Sequence, residues 1–269
     1  MRGTLRTATL FTLGCASIAY GQGRVTELSI PSRIYGHARK VWVYTPAGYK
    51  RGPTSYPLIV AFDGEDYRSD TMRLPRVLDS LEASHRIPRT IALMIDNSSG
   101  PARLNDLANQ PAFAEFLATE AIPWLRRQYN VAPDPSRTIV TGSSAGGLAA
   151  AYVALLHPEI FGNVLSQSGA FWRGARASNS PPWEWLTGQY YAQARKPVRF
   201  FIDIGSSETH RALGSGPVFI EAVRRFRDAL KSKGYDVTYT EVPGGVHAPQ
   251  TWRDRLPVGI VALAQAKGH

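Results

Sequence analysis

The sequence predicts an α/β fold built on a mostly parallel, doubly wound sheet. Two alternating segments come first, and after them apolar strand-like runs alternate with helix-like segments. Several of those runs are continuously apolar, as strands covered on both faces require. The length of 269 residues and the 43% hydrophobic content suit one large core, and the pattern shows no internal repeat.

Residues 25–30 and 40–45 alternate as half-exposed strands, an edge hairpin. A loop follows to Pro57. Leu58-Ile59-Val60-Ala61-Phe62 is a buried strand ending in the loop Asp63-Gly64-Glu65. The pattern predicts a helix over 71–84, with Pro75 in its first turn, then a buried strand over 90–95 and a loop over 96–101. Residues 112–129 carry apolar side chains at helical spacing (Phe113, Phe116, Leu117, Ile122, Leu125), with a kink at Pro123. Thr138-Ile139-Val140-Thr141 is a strand that runs through a tight turn into a helix of small residues, which stops at His157-Pro158. Residues 161–165 are the sixth strand, and 166–169 the loop after it. Residues 171–196 break the rhythm. This aromatic-rich insertion holds Trp172, Trp183, Trp185, Tyr190 and Tyr191, which either line a pocket or pack the insertion down. A strand over 198–204, an amphipathic helix over 218–233, a last strand over 237–242 and a closing helix over 252–264 complete the order. Ligands on such a sheet sit beyond the C-terminal strand ends.

The first residues read differently. Arg2 and Arg6 precede a short apolar run over 8–19, and Ser17-Ile18-Ala19 resembles a signal-peptidase site. Residues 1–21 are therefore expected to be a secretory signal, with 22–269 as the catalytic domain. Cys15 follows Leu13-Gly14 but has Thr12 where a lipoprotein box carries an aliphatic residue, which argues against lipidation. It is the only cysteine, so a chain cleaved after it has neither a disulfide nor a thiol nucleophile. No later segment is apolar enough for a membrane span. The formal net charge is +10, yet the basic residues are scattered rather than striped among aromatics, which argues against nucleic acid as a partner. Such a surface is either simply solvated or a field that draws anionic substrates.

Gly142-Ser143-Ser144-Ala145-Gly146 fits G-x-S-x-G, the turn that lifts a serine hydroxyl clear of a sheet. Side chains at 142 or 146 would collide with the neighbouring strand or helix. Ser144 is the expected nucleophile, and the Ala145 N–H, at a helix start, points where an oxyanion would form. A serine needs a base, and in α/β-hydrolases the chain order is nucleophile, acid, histidine. His157 ends the elbow helix, where it caps, and His269 is terminal. His210 lies past a strand. His247 sits in the glycine loop Val242-Pro243-Gly244-Gly245-Val246-His247, which can return an imidazole over the elbow, and is the expected base. Glu208 lies in the loop beyond the 198–204 strand and Asp203 inside that strand. Glu208 is the preferred acid, Asp203 the alternative. The second oxyanion donor is expected from the Asp63-Gly64-Glu65 loop, as the Glu65 N–H. No metal-binding, phosphate-loop or dinucleotide motif appears, so no cofactor is indicated.

These residues resemble the enterochelin esterase-like serine esterases, within the wider esterase D, feruloyl esterase and mycolyltransferase set of α/β-hydrolases. The resemblance runs from about Pro57 to Trp252. It rests on Phe62-Asp63-Gly64, Arg103-Leu104-Asn105-Asp106-Leu107, Arg137-Thr138 leading into the elbow, Phe161-Gly162, Leu165-Ser166-Gln167-Ser168-Gly169, and Gly244-Gly245-Val246-His247 with Trp252. It implies Ser144 as nucleophile, His247 as base and an acid in the loop holding Glu208. It also implies Arg103 near the substrate; the alternative for Arg103 is a salt bridge to Asp106. Two departures concern the substrate more than the chemistry. The extra N-terminal domain of cytoplasmic members is not in this chain, and Val246 interrupts the usual Gly-Gly-His. The expected substrate is a catecholate siderophore ester. A carbohydrate-linked feruloyl or acetyl ester is the alternative, with Trp172 as a substrate contact, and acyl transfer to a sugar hydroxyl is a further possibility on the same scaffold.

Overall fold

The computed structural model describes residues 21–175 and 181–265. The signal segment, Cys15 and His269 lie outside them, apart from Gly21. Eight strands form one sheet: β1 (Arg24–Ile30), β2 (Arg39–Thr45), β3 (Leu58–Ala61), β4 (Ile91–Ile95), β5 (Thr138–Ser143), β6 (Asn163–Gln167), β7 (Arg199–Gly205) and β8 (Asp236–Val242). Their spatial order is β1-β2-β4-β3-β5-β6-β7-β8. The β1–β2 hairpin and the β2–β4 pair are antiparallel, and every pairing from β4 to β8 is parallel.

The period-2 alternation of side chains splits the apolar residues into two cores. Val41, Leu58, Val60, Leu93, Val140, Phe200 and Ile202 face one side with α6 (Ala145–Leu156) and α8 (Phe219–Ser232). Trp42, Ile59, Ala61, Met94, Ile139, Leu165 and Phe201 face the other with α2 (Leu74–Ala83) and α9 (Pro249–Ala264). The fold is thus the expected doubly wound α/β sheet with an edge hairpin. Among the described residues the other α-helices are α1 (Gly64–Arg68), α3 (Leu104–Leu107), α4 (Pro111–Glu115), α5 (Ile122–Gln128) and α7 (Trp185–Ala192).

Local differences have local causes. Of residues 63–65, read as loop, Asp63 is the N-cap of α1 and Gly64 and Glu65 start the helix. The expected helix over 112–129 is α4 and α5 joined by a π-helical stretch, Phe116–Ala121. Pro123 cannot donate back to the preceding turn and its ring crowds the carbonyl there, so the turn widens just before it. Strand β6 starts at Asn163, not 161, because Gly162 is pressed on the Pro135 carbonyl: a Cβ there would lie 2.5 Å from the oxygen. Polar Ser166 and Gln167 belong to the strand and are fully buried. The insertion contributes α7, and Tyr190 on it packs against Phe200 and Phe226.

Candidate active site

Four parallel neighbours bring the site together. Strands β5, β6, β7 and β8 end side by side, and each C-terminal end hands one side chain to the same spot. Ser144 follows β5 with φ 56° and ψ −118°, a sparsely populated backbone state. Its N–H donates to the Gln167 carbonyl at 2.9 Å and its carbonyl accepts from Ala170 at 2.9 Å, so β6 clamps the turn on both sides. Gly142 permits the turn: a Cβ there would meet the Gly146 carbonyl carbon at 2.5 Å. The demand at Gly146 is milder than expected. Its nearest neighbour would be the Asp63 carboxylate at 3.2 Å. Gly147 is the stricter position, with the Ser166 hydroxyl at 2.6 Å.

The loops after β7 and β8 are stitched together by hydrogen bonds. Ser207 donates to the Gly245 carbonyl at 3.0 Å, and Gly244 to the Ser206 hydroxyl at 2.9 Å. A Cβ on Gly205 would fall 2.3 Å from the Gly245 oxygen, so the approach depends on glycine. That approach sets His247 against Glu208: Nδ1 lies 2.6 Å from Oε2. On the other side of the ring, Nε2 lies 2.9 Å from the Ser144 hydroxyl. Phe219 and Trp252 meet the imidazole edge-on at 5.0 and 4.9 Å, which fixes its plane, and His210 lies at 6.4 Å.

Glu208 is fully buried. Its Oε1 accepts from the Ser168 hydroxyl at 2.6 Å and from the Gly205 N–H at 2.9 Å. Trp252 Nε1 in turn donates to the Ser168 hydroxyl at 2.9 Å. Asp203, the alternative acid, sits inside β7 and points elsewhere, accepting from Gln167 Nε2 at 3.2 Å. Burial pushes its carboxyl up to about 7, only partly offset by Gln167 and Arg255. A group half-protonated near neutrality is poorly suited to hold an imidazolium, and of the two carboxylates it is Glu208 that contacts the His247 ring.

Ala145 starts α6 and Glu65 is the second residue of α1, so both N–H groups fall in first turns without a partner four residues back. The two helix starts adjoin, since Asp63, with φ 54°, lies beside Gly146. The Glu65 side chain itself points to solvent and pairs with Arg68 at 2.6 Å. Arg103 does not pair with Asp106. It grips Asp63 with two nitrogens, Nη2 at 2.6 Å from Oδ2, and Nη2 also lies 3.4 Å from the Ser143 carbonyl. Asp106 is taken by Arg39 at 2.5 Å, Tyr35 at 2.6 Å and Asn97 at 2.9 Å. Asn97 also accepts from the Asp63 N–H at 2.9 Å, so this buried cluster supports the Arg103–Asp63 pair.

Trp172 is buried. It packs on Phe219 at 5.7 Å and Trp183 at 6.1 Å, with the Arg173 guanidinium 4.6 Å from its ring centre. It reaches His247 only through Phe219. Sequence reasoning missed Ser168, Asp63, Arg39 and Phe219 as parts of this assembly. Ser168 and Asp63 stand in the runs that carry the family resemblance, a usable signal. Phe219 looks like any apolar residue of an amphipathic helix. Among the described residues no group of His, Cys, Asp and Glu is placed to hold a metal ion, and no helix is long and apolar enough to cross a membrane.

Comparison with known proteins agrees with this architecture. Residues 32–263 match the Esterase family model, described as “Putative esterase”. The Iron(III) enterobactin esterase of Dickeya dadantii is 36% identical over 149 residues, which is 55% of this chain and 34% of that protein. The crystal structure of the enterobactin esterase FES from Shigella flexneri, in the presence of 2,3-dihydroxy-N-benzoyl-serine, superposes with a TM-score of 0.76 at 28% identity. The match covers 89% of this chain and 59% of that one. A ferulic acid esterase from Anaeromyces mucronatus, in complex with ferulic acid, shares the fold at TM-score 0.69 and 16% identity, covering 91% and 92% of the two chains. The chain therefore spans one third to three fifths of the enterobactin esterases it matches here. It belongs to the esterase family.

Proposed function

We propose that this member of the esterase family is an exported serine esterase in which Ser144, His247 and Glu208 form a catalytic triad. The carrying observation is the continuous contact from the Ser144 hydroxyl through His247 to Glu208, at 2.9 and 2.6 Å. His247 takes the serine proton as Oγ attacks the ester carbonyl. The Ala145 and Glu65 N–H groups hold the oxyanion, and Glu208 stabilises the imidazolium. His247 then protonates the leaving alcohol, and water releases the acyl group by the reverse sequence. Residues 1–21 serve as the export signal and 22–269 as the catalytic unit.

The first substrate class is a catecholate siderophore ester, supported by the names of the relatives above. The positive charge of Arg103 is largely cancelled by Asp63, so Arg103 acts here as a hydrogen-bonding wall rather than as a free cation. The Phe219 ring against His247, backed by the buried Trp172, favours an aromatic acyl group, which a feruloyl ester on a carbohydrate would also supply. A sugar hydroxyl in place of water would make the same site an acyltransferase.

A fluorophosphonate probe is expected to label the purified protein, and Ser144→Ala to abolish both labelling and ester cleavage. Ferric enterobactin, feruloylated xylan and acetylated xylan, assayed with and without a sugar acceptor, separate the substrate classes. Absence of labelling in a folded sample would remove the triad.

A further inference from the structure

The Leu165-Ser166-Gln167-Ser168-Gly169 run supplies none of the triad residues, yet Ser168 is fully buried against the triad with φ 46°. That left-handed state is uncommon for a non-glycine residue and implies that the surroundings hold the side chain in place. Its hydroxyl has two neighbours, Trp252 Nε1 at 2.9 Å and Glu208 Oε1 at 2.6 Å.

An indole N–H can only donate, whereas a hydroxyl has one proton and can also accept. The Ser168 oxygen must therefore accept from Trp252, and its single proton is left for Glu208. Oε1 takes that proton and the Gly205 N–H, so both contacts suit an ionised, accepting carboxylate. The other oxygen, Oε2, then faces His247 Nδ1 as an acceptor and needs a proton there. A neutral imidazole with its proton on Nδ1 leaves Nε2 bare, the form that accepts from the Ser144 hydroxyl.

We infer that Ser168 and Trp252 are positioning residues that set the direction of the whole hydrogen-bond chain, from indole to nucleophile. The inference rests on the triad proposed above. Trp252 does this with its N–H and, separately, braces the His247 ring through the edge-on ring contact, so the two roles can be parted. Gln167 adds rigidity, since its amide donates to the Trp252 carbonyl at 2.9 Å and to Asp203 at 3.2 Å.

The test is steady-state kinetics on a soluble ester across pH. Ser168→Ala removes the donor to Glu208, and Ser168→Gly does the same while suiting the positive φ, so agreement of the two separates hydroxyl loss from backbone strain. Each is expected to lower kcat roughly ten- to hundredfold with KM little changed, the range for one hydrogen bond to a charged group. The carboxylate left less satisfied binds the imidazolium more strongly, so the acid limb of the kcat/KM profile moves to higher pH. Trp252→Phe keeps a ring beside His247 but loses the N–H, and kcat is expected to fall about two- to tenfold. The indole N–H acts only through Ser168, and phenylalanine keeps the ring, so the double variant Ser168→Gly/Trp252→Phe is expected to match Ser168→Gly alone within about twofold. Wild-type kcat in folded Ser168→Gly, or multiplying effects in the double variant, would overturn the inference. Both results remain separable from failure of the triad: probe labelling of Ser144 and loss of activity in Glu208→Gln report on the triad alone.

Discussion

An alanine methyl at Gly142 would sit 2.5 Å from the Gly146 carbonyl carbon, and backbone cannot move aside as a flexible side chain would. Gly142→Ala is therefore expected to push α6 off β5, with a fall in melting temperature and loss of probe labelling together. Gly146→Ala meets only the Asp63 carboxylate, at 3.2 Å, and is expected to fold with reduced activity. Thermal unfolding of the two variants side by side checks the difference in severity. The two candidate acids separate at the same scale. Glu208→Gln keeps the shape but loses the charge facing His247, and kcat is expected to drop about 10³- to 10⁴-fold, as when a triad acid is neutralised. Asp203→Asn has no contact with the imidazole and is expected to stay within about tenfold of the parent. The reverse ranking in a kcat measurement would move the acid into β7. Both residues were visible in the sequence, and the choice rested on one being in the strand and one beyond it. In the structure Glu208 is the one of the two that reaches His247, because the loop after a strand can fold back over its end.

At the scale of elements, β5 to β8 were readable because each is an apolar run with turn residues behind it. The segment from Asp96 to Gln110 was not. Its polar residues look like a solvated loop, yet Asn97 and Asp106 are buried because Arg39, far away in sequence on β2, neutralises Asp106 and stacks over Tyr35 at 4.2 Å. Nothing local announces that pairing, and for the same reason the sequence could offer Arg103 the wrong partner. The cluster ties β2, β4 and α3 together below the Arg103–Asp63 pair. Asp106→Asn leaves the buried Arg39 guanidinium without its counter-charge, and stability is expected to fall by about 3–5 kcal/mol. The loosened α3 should release Arg103, so kcat/KM falls even at temperatures where the variant remains folded. Denaturant unfolding and kinetics on the same preparation check both parts, and an unchanged midpoint would show the pair to be dispensable.

Over the whole molecule, the parallel sheet gathers the strand ends that matter at one edge, and two carboxyl groups, buried Asp203 on β7 and half-buried Glu82 on α2, are kept far from their solution behaviour. Asp203 and Glu82 are both pushed up to about 7, each chiefly by burial. In the unfolded chain each returns to the ordinary carboxylate range, near 3.8 and 4.5. Between about pH 4 and pH 7 the native state therefore holds protons that the unfolded state has released. Stability falls with rising pH across that window and levels off above it, where both states are ionised. Below about pH 4 both states are protonated and the two groups contribute no slope. Glu241 works the other way, held near 2 by Arg224, but the pair is only half-buried and its salt bridge is screened, so its effect is small. The expected outcome is a melting temperature that declines from about pH 5 to pH 7.5. Asp203→Asn removes one of the two titrating groups, so its decline should be shallower, and Asp203→Asn with Glu82→Gln should be nearly flat. Those slopes come from thermal scans in matched ionic strength. A double variant as steep as the parent would mean that other groups govern the pH response and that Asp203 is ionised in the folded protein at neutral pH.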